Sequence, residues 1–286
     1  MKFGILQFFS WPGRHGPLED VYARALERIG IMDRGGFDAV WLAEHHFTTY
    51  SVCPSVHMVG VLAAARTKRL RIGTAVSLAA LYHPLRLAEE VALLDVISGG
   101  RVNWGAGRGF APLEFEAFGV PPAESTERFR EAVDIVLQAW TQERLTYASA
   151  NYRFDGLEVL PKPLQKPHPP VWMAATSAPA IDWAASRGFS ILMDPHATTT
   201  ELGEKRRLYA RRLAEAGFSD AGRDIPMARL IAVAKTKAEA TEVARRGAQW
   251  LLSAYAGPGH AKVLQTNPEK TMQVPTINHG EDPLGR

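Results

Sequence analysis

The stretch FDAVWLAEHHF, residues 37–47, decides the fold class of this chain, because an apolar run passes directly into charged side chains. Residues 37–43 carry apolar side chains on both faces of an extended segment, which is typical of a parallel strand covered by helices on both sides. In such α/β folds, chemistry collects at the carboxyl ends of the strands. Glu44, His45 and His46 stand at such an end and are the first candidates for a functional site.

Strand-like and helix-like segments alternate outward from this stretch. The predicted strands are Lys2–Phe8, Phe37–Ala43, Leu70–Val76, Arg101–Ala106, Val171–Ala174, Phe189–Met193 and Pro226–Ala234. The predicted helices are Leu18–Arg34, Val56–Thr67, Leu85–Ile97, Thr126–Gln142 (with Ser125 as N-cap), Pro179–Arg187, Thr199–Ala216 and Lys237–Tyr255. This alternation predicts an α/β protein with a TIM-type (β/α)8 barrel. A doubly wound sheet is the main alternative, but no glycine-rich turn follows the first strand.

Two segments interrupt the alternation. Residues 147–163 alternate in polarity around Asp155-Gly156, which predicts a hairpin. Residues 257–286 contain Pro268, Pro275 and Pro283 and no run of four apolar residues, so they predict no regular central strand. We therefore expect a barrel domain over residues 1–256 and an irregular tail over 257–286, with the eighth βα unit missing or irregular.

Composition excludes several classes of protein. The chain has 286 residues, 46% of them hydrophobic, and a net charge of only +3 with scattered basic residues, which argues against nucleic-acid binding. No apolar run approaches the length of a membrane span. The single cysteine, Cys53, rules out an internal disulfide. That cysteine usage suits a reducing compartment, so a cytoplasmic protein is expected.

The pair His45-His46 beside Glu44 has three readings. Alternation along an extended chain places Glu44 and His46 on one side and His45 on the other. A plain hydrogen-bonded histidine pair and a proton-transfer site are both compatible with this arrangement. A third reading adds Asp194 and His196 to Glu44 and His46 as the ligands of a metal-dependent barrel hydrolase.

Two further segments after predicted strands favour an anion. Gly105-Ala106-Gly107-Arg108-Gly109 lets the backbone approach a ligand closely and provides a guanidinium for a phosphate. Thr176-Ser177-Ala178 precedes a helix whose first amides point at any anion placed there, although an ordinary N-cap explains it equally well. Because all three segments follow strands, they are expected on one rim, beside each other.

The ordered set of motifs resembles the bacterial luciferase-like family of flavin-dependent monooxygenases. The resemblance covers roughly residues 1–255 and rests on a set of segments in the family's order. These are Met1–Gly4, Gly36–Phe47, Ile72–Val76, His83-Pro84, Ser98–Arg101, Gly107–Gly109, Pro169–Val171 and Ser177–Trp183.

The resemblance implies noncovalent FMN, reduced by a separate flavin reductase, and an oxidation of a small organic substrate through a flavin hydroperoxide. It implies His45 as the catalytic histidine with Glu44 as its supporting carboxylate. The implied FMN contacts are Ala75 and Val76, joined by a cis peptide, with Arg108, Thr176, Ser177 and Ala178 at the phosphate.

Two departures from luciferase argue against light emission. Thr176-Ser177 stands where luciferase has Glu-Ser, and Gly107 stands where it has a cysteine. A luciferase-like oxygenase is therefore expected, with a non-catalytic flavin-binding relative as the alternative. Apolar loop residues Phe9, Trp11, Phe47, Phe110 and Phe115 are candidates for the walls of a substrate pocket, and each could equally belong to the core. The small residues of segment 59–65 and the resemblance suggest a homodimer.

Overall fold

The computed structural model describes residues 1–193, Pro195 and 197–250. The chain divides into two compact units, residues 1–230 and 231–286. The first unit is an α/β structure, and the described part of the second unit is helical over residues 237–250. None of the helices in the described ranges is long and apolar enough to cross a bilayer.

The first unit is built on a parallel sheet in which strands pair largely in chain order. The strands are β1 Gly4–Gln7, β2 Ala39–Leu42, β3 Arg71–Thr74, β4 Ser77–Leu78, β5 Val102–Gly107, β6 Leu145–Ala148, β7 Arg153–Leu157, β8 Val171–Ala174 and β9 Ser190–Leu192. The main sheet has the order β1-β2-β3-β5-β8-β9, with β4 also paired to β5, and β6 and β7 form a separate antiparallel hairpin. This is the expected TIM-type βα progression.

Helices connect the strands and cover one face of the sheet. They are α1 Leu18–Arg34, α2 Val56–Arg66, α3 Pro84–Ile97, α4 Pro112–Ala117, α5 Ser125–Thr141, α6 Ala178–Ser186 and α7 Thr199–Glu215. In α1, Val21, Ala25, Ile29 and Met32 recur at helical spacing and are buried. In α1, the sequence pattern therefore indicates which side is buried.

The other face of the sheet is concave. Trp41 on β2 and Trp172 on β8 are separated by two strands, yet their ring centroids lie 5.4 Å apart in an edge-to-face contact. Glycine makes room for them, since a Cβ on Gly73 would lie 2.2 Å from the Trp41 ring. Two side chains can meet across intervening strands only where the sheet curves, so the tryptophans fill the interior of a barrel-type sheet.

Most predicted elements are confirmed to within a few residues, and three details are wrong. Residues 226–234 form no strand, because Ile231 and Val233 are over 80% exposed and bury no apolar face. Asp155-Gly156 lies inside β7, and the hairpin turns at residues 149–152 instead. Ser125 is the first residue of α5 rather than its N-cap, which is Glu124. The end of the last predicted helix, residues 251–255, and the tail, residues 257–286, lie outside the described residues.

The regular strand pairing of the sheet is interrupted after β3. Backbone pairing between β3 and β5 stops at Gly73↔Asn103 and resumes at Ser77↔Ala106. In between, the Thr74 hydroxyl donates to the Gly105 carbonyl at 2.6 Å and accepts from the Gly105 amide at 2.9 Å. Thr74 thus replaces the missing ladder bonds where the Ala75-Val76 segment leaves the pairing with β5.

Gly105→Ala is expected to destabilise the fold by about 1–3 kcal/mol or more, the range for overpacking a filled interior. A Cβ at Gly105 would lie 1.9 Å from the Thr74 carbonyl oxygen, which is backbone and cannot rotate away. Chemical denaturation of the protein without ligand measures the effect. Gly203→Ala within α7 is the control, since the nearest atom to its Cβ is a flexible arginine end at 3.5 Å; that variant should be neutral or slightly stabilised. Equal midpoints for both variants would refute the steric account.

Candidate active site

The three polar segments lie at the carboxyl ends of neighbouring strands. The β2 end carries Glu44, β3 leads into Ala75, β5 leads into Arg108 and β8 leads into Thr176. These strands are adjacent and parallel in the order β2-β3-β5-β8. The expectation that the segments share one rim is therefore confirmed. The Ala75 amide donates to the Leu42 carbonyl at 2.7 Å, which ties the β3 exit to the β2 exit.

Glu44 is paired with His46, not with His45. The Glu44 side chain is fully buried, and its Oε1 lies 3.1 Å from His46 Nε2. Its Oε2 accepts the Leu78 amide at 3.4 Å. The expected alternation of faces is confirmed, and it corrects the idea that Glu44 supports His45 directly, because adjacent residues on an extended segment point apart.

A carboxylate that the sequence did not single out faces His45. Glu114 on α4 has a side chain only 3% exposed, and its Oε1 lies 3.8 Å from His45 Nδ1. The same oxygen accepts the His46 amide at 3.0 Å. Glu114 therefore anchors the backbone between the two imidazoles and places a negative charge beside His45. The only sequence signal was its place shortly after the glycine-rich segment.

Aromatic rings surround the His45 imidazole. Phe8 stacks at 6.2 Å between centroids, Tyr50 meets it edge-on at 5.0 Å and Phe110 meets it edge-on at 6.2 Å. The His45 side chain remains 15% exposed. An imidazole in this setting can exchange a proton with a group placed on the rim while most of its surface is shielded from water.

The expected pocket residues divide between the rim and the core. Phe47 is 59% exposed and Phe110 is 48% exposed, as a pocket rim requires. Phe9 is wrong as a pocket residue, because it is fully buried in the core and the preceding Phe8 takes the position facing His45. Trp11 packs partly buried against the core, and its indole donates to the Gly16 carbonyl.

Phe115, the other candidate wall residue, is also buried. Its ring lies 5.7 Å from the Arg108 guanidinium carbon, a cation–π contact. Arg108 Nη1 in turn donates to the Ser125 hydroxyl at 2.8 Å. Phe115 and Ser125 together hold the guanidinium in place.

Ala75 and Val76 are joined by a cis peptide, as the resemblance implied. The pair lies opposite Gly107, where a Cβ would come within 2.4 Å of the Val76 side chain and 3.5 Å of Ala174. Gly107, which stands where luciferase has a cysteine, therefore leaves the space that Val76 fills. Val76 therefore packs against the end of β5.

The phosphate segment after β8 is open to a ligand. Thr176, Ser177 and Ala178 are exposed, and Ser177 caps α6 without a side-chain hydrogen bond to the helix. The register Ala106↔Met173 sets this helix start beside the residues that follow Gly107. A guanidinium and a helix N-terminus on neighbouring strand ends form a donor set suited to a phosphate.

Burial raises the pKa of two other groups near Glu44. Burial, aided by the Glu44 charge, raises the pKa of the Cys53 thiol to about 12. Burial, followed by the charges of Glu44 and Glu90, also raises the pKa of the Tyr82 phenol. Neither group loses its proton near neutral pH, so the imidazoles are the groups of this rim suited to proton exchange.

The metal reading receives no support from the described residues. They contain no group of three or more His, Cys, Asp or Glu side chains arranged to hold a metal ion. Asp194 and His196, which that reading required, lie outside the residues that the structure describes.

Comparison with known proteins agrees with this geometry. A family model described as luciferase-like monooxygenase matches residues 1–281. An uncharacterized protein, y4wF, of Sinorhizobium fredii is 36% identical over 67% of this chain and 55% of its own length. The oxygenase component of flavin-dependent trigonelline monooxygenase from Acinetobacter baylyi is 30% identical over 68% of this chain and 54% of its own. The chain thus spans about half the length of these relatives.

A solved structure is similar over a larger share of both chains. Monooxygenase RslO1 from Streptomyces bottropensis superimposes with a TM-score of 0.86 at 30% identity, covering 95% of this chain and 83% of that one. The strand-end site and the parallel sheet are consistent with the family model that matches residues 1–281. The chain belongs to the luciferase-like monooxygenase family.

Proposed function

We propose that the protein is an FMN-dependent monooxygenase that uses reduced flavin and dioxygen to oxidise a small organic substrate. One observation carries the proposal: the cis-linked Ala75-Val76 segment follows β3, and the neighbouring strands β2 and β5 lead into His45 and Arg108 at the same edge of the sheet. Gly107 leaves room for the Val76 side chain, since a Cβ there would lie 2.4 Å from it. This segment, beside a donor set suited to a phosphate, suits a phosphorylated cofactor with a planar ring.

Each part of the rim has a role in the proposal. Arg108 and the amides near Thr176, Ser177 and Ala178 bind the FMN phosphate. Ala75 and Val76 contact the isoalloxazine. Reduced FMN supplies the electrons that activate dioxygen. His45 holds or transfers a proton at its imidazole, and Glu114 positions that imidazole. Phe110 and its neighbours shield the site from water and favour an apolar substrate.

The proposal includes a flavin reductase that supplies reduced FMN, since the A. baylyi relative is named as an oxygenase component.

The proposal also includes a homodimer formed through α2 and α3. Met58 and Leu62 on α2 and Leu93 and Ile97 on α3 are 46–74% exposed, an apolar patch suited to burial. Gly60 and Ala63, two of the small residues that suggested close helix packing between subunits, are buried within the chain and lie outside this patch. Light scattering at micromolar concentration measures the oligomeric state. The barrel domain is proposed to extend to residue 256.

A two-step binding and turnover experiment tests the function. FMN titration, followed by fluorescence quenching, is expected to show saturable binding that is clearly weaker for riboflavin, which lacks the phosphate. Reduced FMN, oxygen and a panel of aldehydes, ketones and aromatic compounds are then incubated with the protein, and oxygenated products are sought by mass spectrometry. Binding without any product would favour the non-catalytic alternative. Equal affinity for FMN and riboflavin would contradict the phosphate site.

A further inference from the structure

A chain of hydrogen bonds runs from the surface of α3 to the segment that follows the cis peptide. Arg86 Nε donates to Glu90 Oε1 at 2.9 Å. Glu90 Oε2 lies 3.0 Å from His57 Nδ1, and His57 Nε2 lies 2.9 Å from the Ser77 hydroxyl. Exposure falls along this chain from 68% at Arg86 to 28% at Glu90 and 3% at His57. Ser77 is fully buried.

Donors and acceptors can be assigned along this series of hydrogen bonds. The hydrogen bond from His57 is the largest cause of a lowered pKa at Glu90, which keeps that carboxylate ionised at neutral pH. An ionised carboxylate only accepts, so Nδ1 of His57 donates to it. In the neutral imidazole Nε2 then accepts, and the Ser77 hydroxyl donates to it. All polar atoms of the buried pair are therefore satisfied.

This arrangement superficially matches the serine, histidine and carboxylate of a hydrolase. A nucleophilic serine has to reach a substrate carbonyl. Ser77 is fully buried, and its neighbour Leu78 is also buried, so no substrate can approach the hydroxyl. The geometry excludes a nucleophilic role and leaves a positioning role.

The position of Ser77 determines which backbone segment this series of hydrogen bonds restrains. Ser77, the first residue of β4, follows Val76 directly and pairs with Ala106 of β5. Leu78, the next residue, donates its amide to buried Glu44. Tyr82 lies between the two networks, with its ring 5.6 Å from the His57 ring. Two hydrogen-bond networks therefore restrain consecutive residues immediately after the cis peptide. The network of Glu90 and His57 binds Ser77 from the helix side, and Glu44 binds the Leu78 amide from the rim.

We propose that His57, supported by Glu90, is a positioning residue for the flavin site: through the Ser77 hydroxyl it fixes the height of Ala75 and Val76 against the isoalloxazine. The inference rests on the proposed function. Buried polar networks with every member satisfied rigidify the backbone they bond to. The Ala75-Val76 segment has no ladder pairing with β5, although the Ala75 amide keeps its bond to the Leu42 carbonyl, so the side chain of Ser77 adds a second restraint directly after it.

The decisive variant is Ser77→Ala, tested by FMN titration and by the visible circular dichroism of bound FMN. Losing one buried hydrogen bond is expected to raise the FMN dissociation constant about 3- to 10-fold, with a changed dichroism signal. The matched control is Ser98→Ala. Ser98 is also buried and donates to the Asp95 carbonyl, at the opposite end of α3 from the rim. That variant should leave the FMN dissociation constant and dichroism unchanged, even if its melting temperature falls.

Two variants at His57 separate positioning from packing. His57→Gln can still reach Ser77 with its amide and is expected to retain FMN affinity within about twofold, whereas His57→Leu fills the space without the hydrogen bonds and should weaken binding as Ser77→Ala does. Wild-type affinity and dichroism in Ser77→Ala would overturn the inference while FMN binding itself stood. Absence of FMN binding by the wild-type protein would overturn the proposed function, and the inference with it.

Discussion

His45→Ala is expected to lower the rate of substrate oxidation by about 10²- to 10⁴-fold, the usual worth of general acid–base assistance, while FMN affinity changes by less than about twofold. The imidazole of His45 lies among Phe8, Tyr50 and Phe110 and close to a buried carboxylate, Glu114. The proposed phosphate contacts come from other strands, so removing this ring leaves them in place.

His46→Ala is the matched comparison for His45→Ala. The His46 ring is hydrogen-bonded to Glu44 and packs edge-on against Phe118 at 4.8 Å. Its loss should reduce activity less, through disturbance of Glu44. Turnover with a substrate from the product screen and FMN titration would be measured for both variants. If His46→Ala proved the more damaging to turnover, the assignment of the two faces would have to be exchanged.

Arg108→Ala is expected to raise the FMN dissociation constant about 10- to 150-fold, as loss of a charge-assisted contact worth about 1.5–3 kcal/mol requires. The guanidinium is held by the Ser125 hydroxyl and the Phe115 ring, so it is already oriented before a ligand arrives. Riboflavin affinity should hardly change in the variant, because riboflavin has no phosphate for Arg108 to bind.

Two further variants sharpen the Arg108 prediction. Ser125→Ala removes the bond that orients the guanidinium and should weaken FMN binding by only a few fold. Arg24→Ala, on the exposed surface of α1, removes a cation of the same kind outside the rim and should have no effect. Fluorescence titrations at fixed ionic strength compare all three. An unchanged FMN affinity in Arg108→Ala would remove this residue from the site.

Most of the helices and the parallel strands were predictable from the chain itself. The helical spacing of apolar residues along α1 is a local property of the sequence, and in the structure Val21, Ala25 and Ile29 are buried as that spacing predicts. The predicted strand at residues 226–234 failed for the opposite reason. An apolar run becomes a strand only if a neighbour buries it, and Ile231 and Val233 are exposed.

The candidate site was predictable in part. His45, Arg108 and Ser177 follow strands, and the rule that strand ends share an edge was enough to bring them together. Glu114 was missed because no local pattern marks a glutamate that approaches a histidine 68 positions earlier. His57 was missed likewise, since its partners Ser77 and Glu90 lie on other elements.

The sequence by itself determined the βα alternation, the edge of the sheet that carries chemistry and the alternation that sends His45 and His46 to opposite sides. These are properties of neighbouring residues and depend only on backbone geometry. The tertiary structure alone decided that Glu44 pairs with His46, that Glu114 faces His45 and that Thr74 bridges to Gly105. Such contacts depend on strand register and on how the close-packed helices and sheet bring together residues that are distant in the sequence.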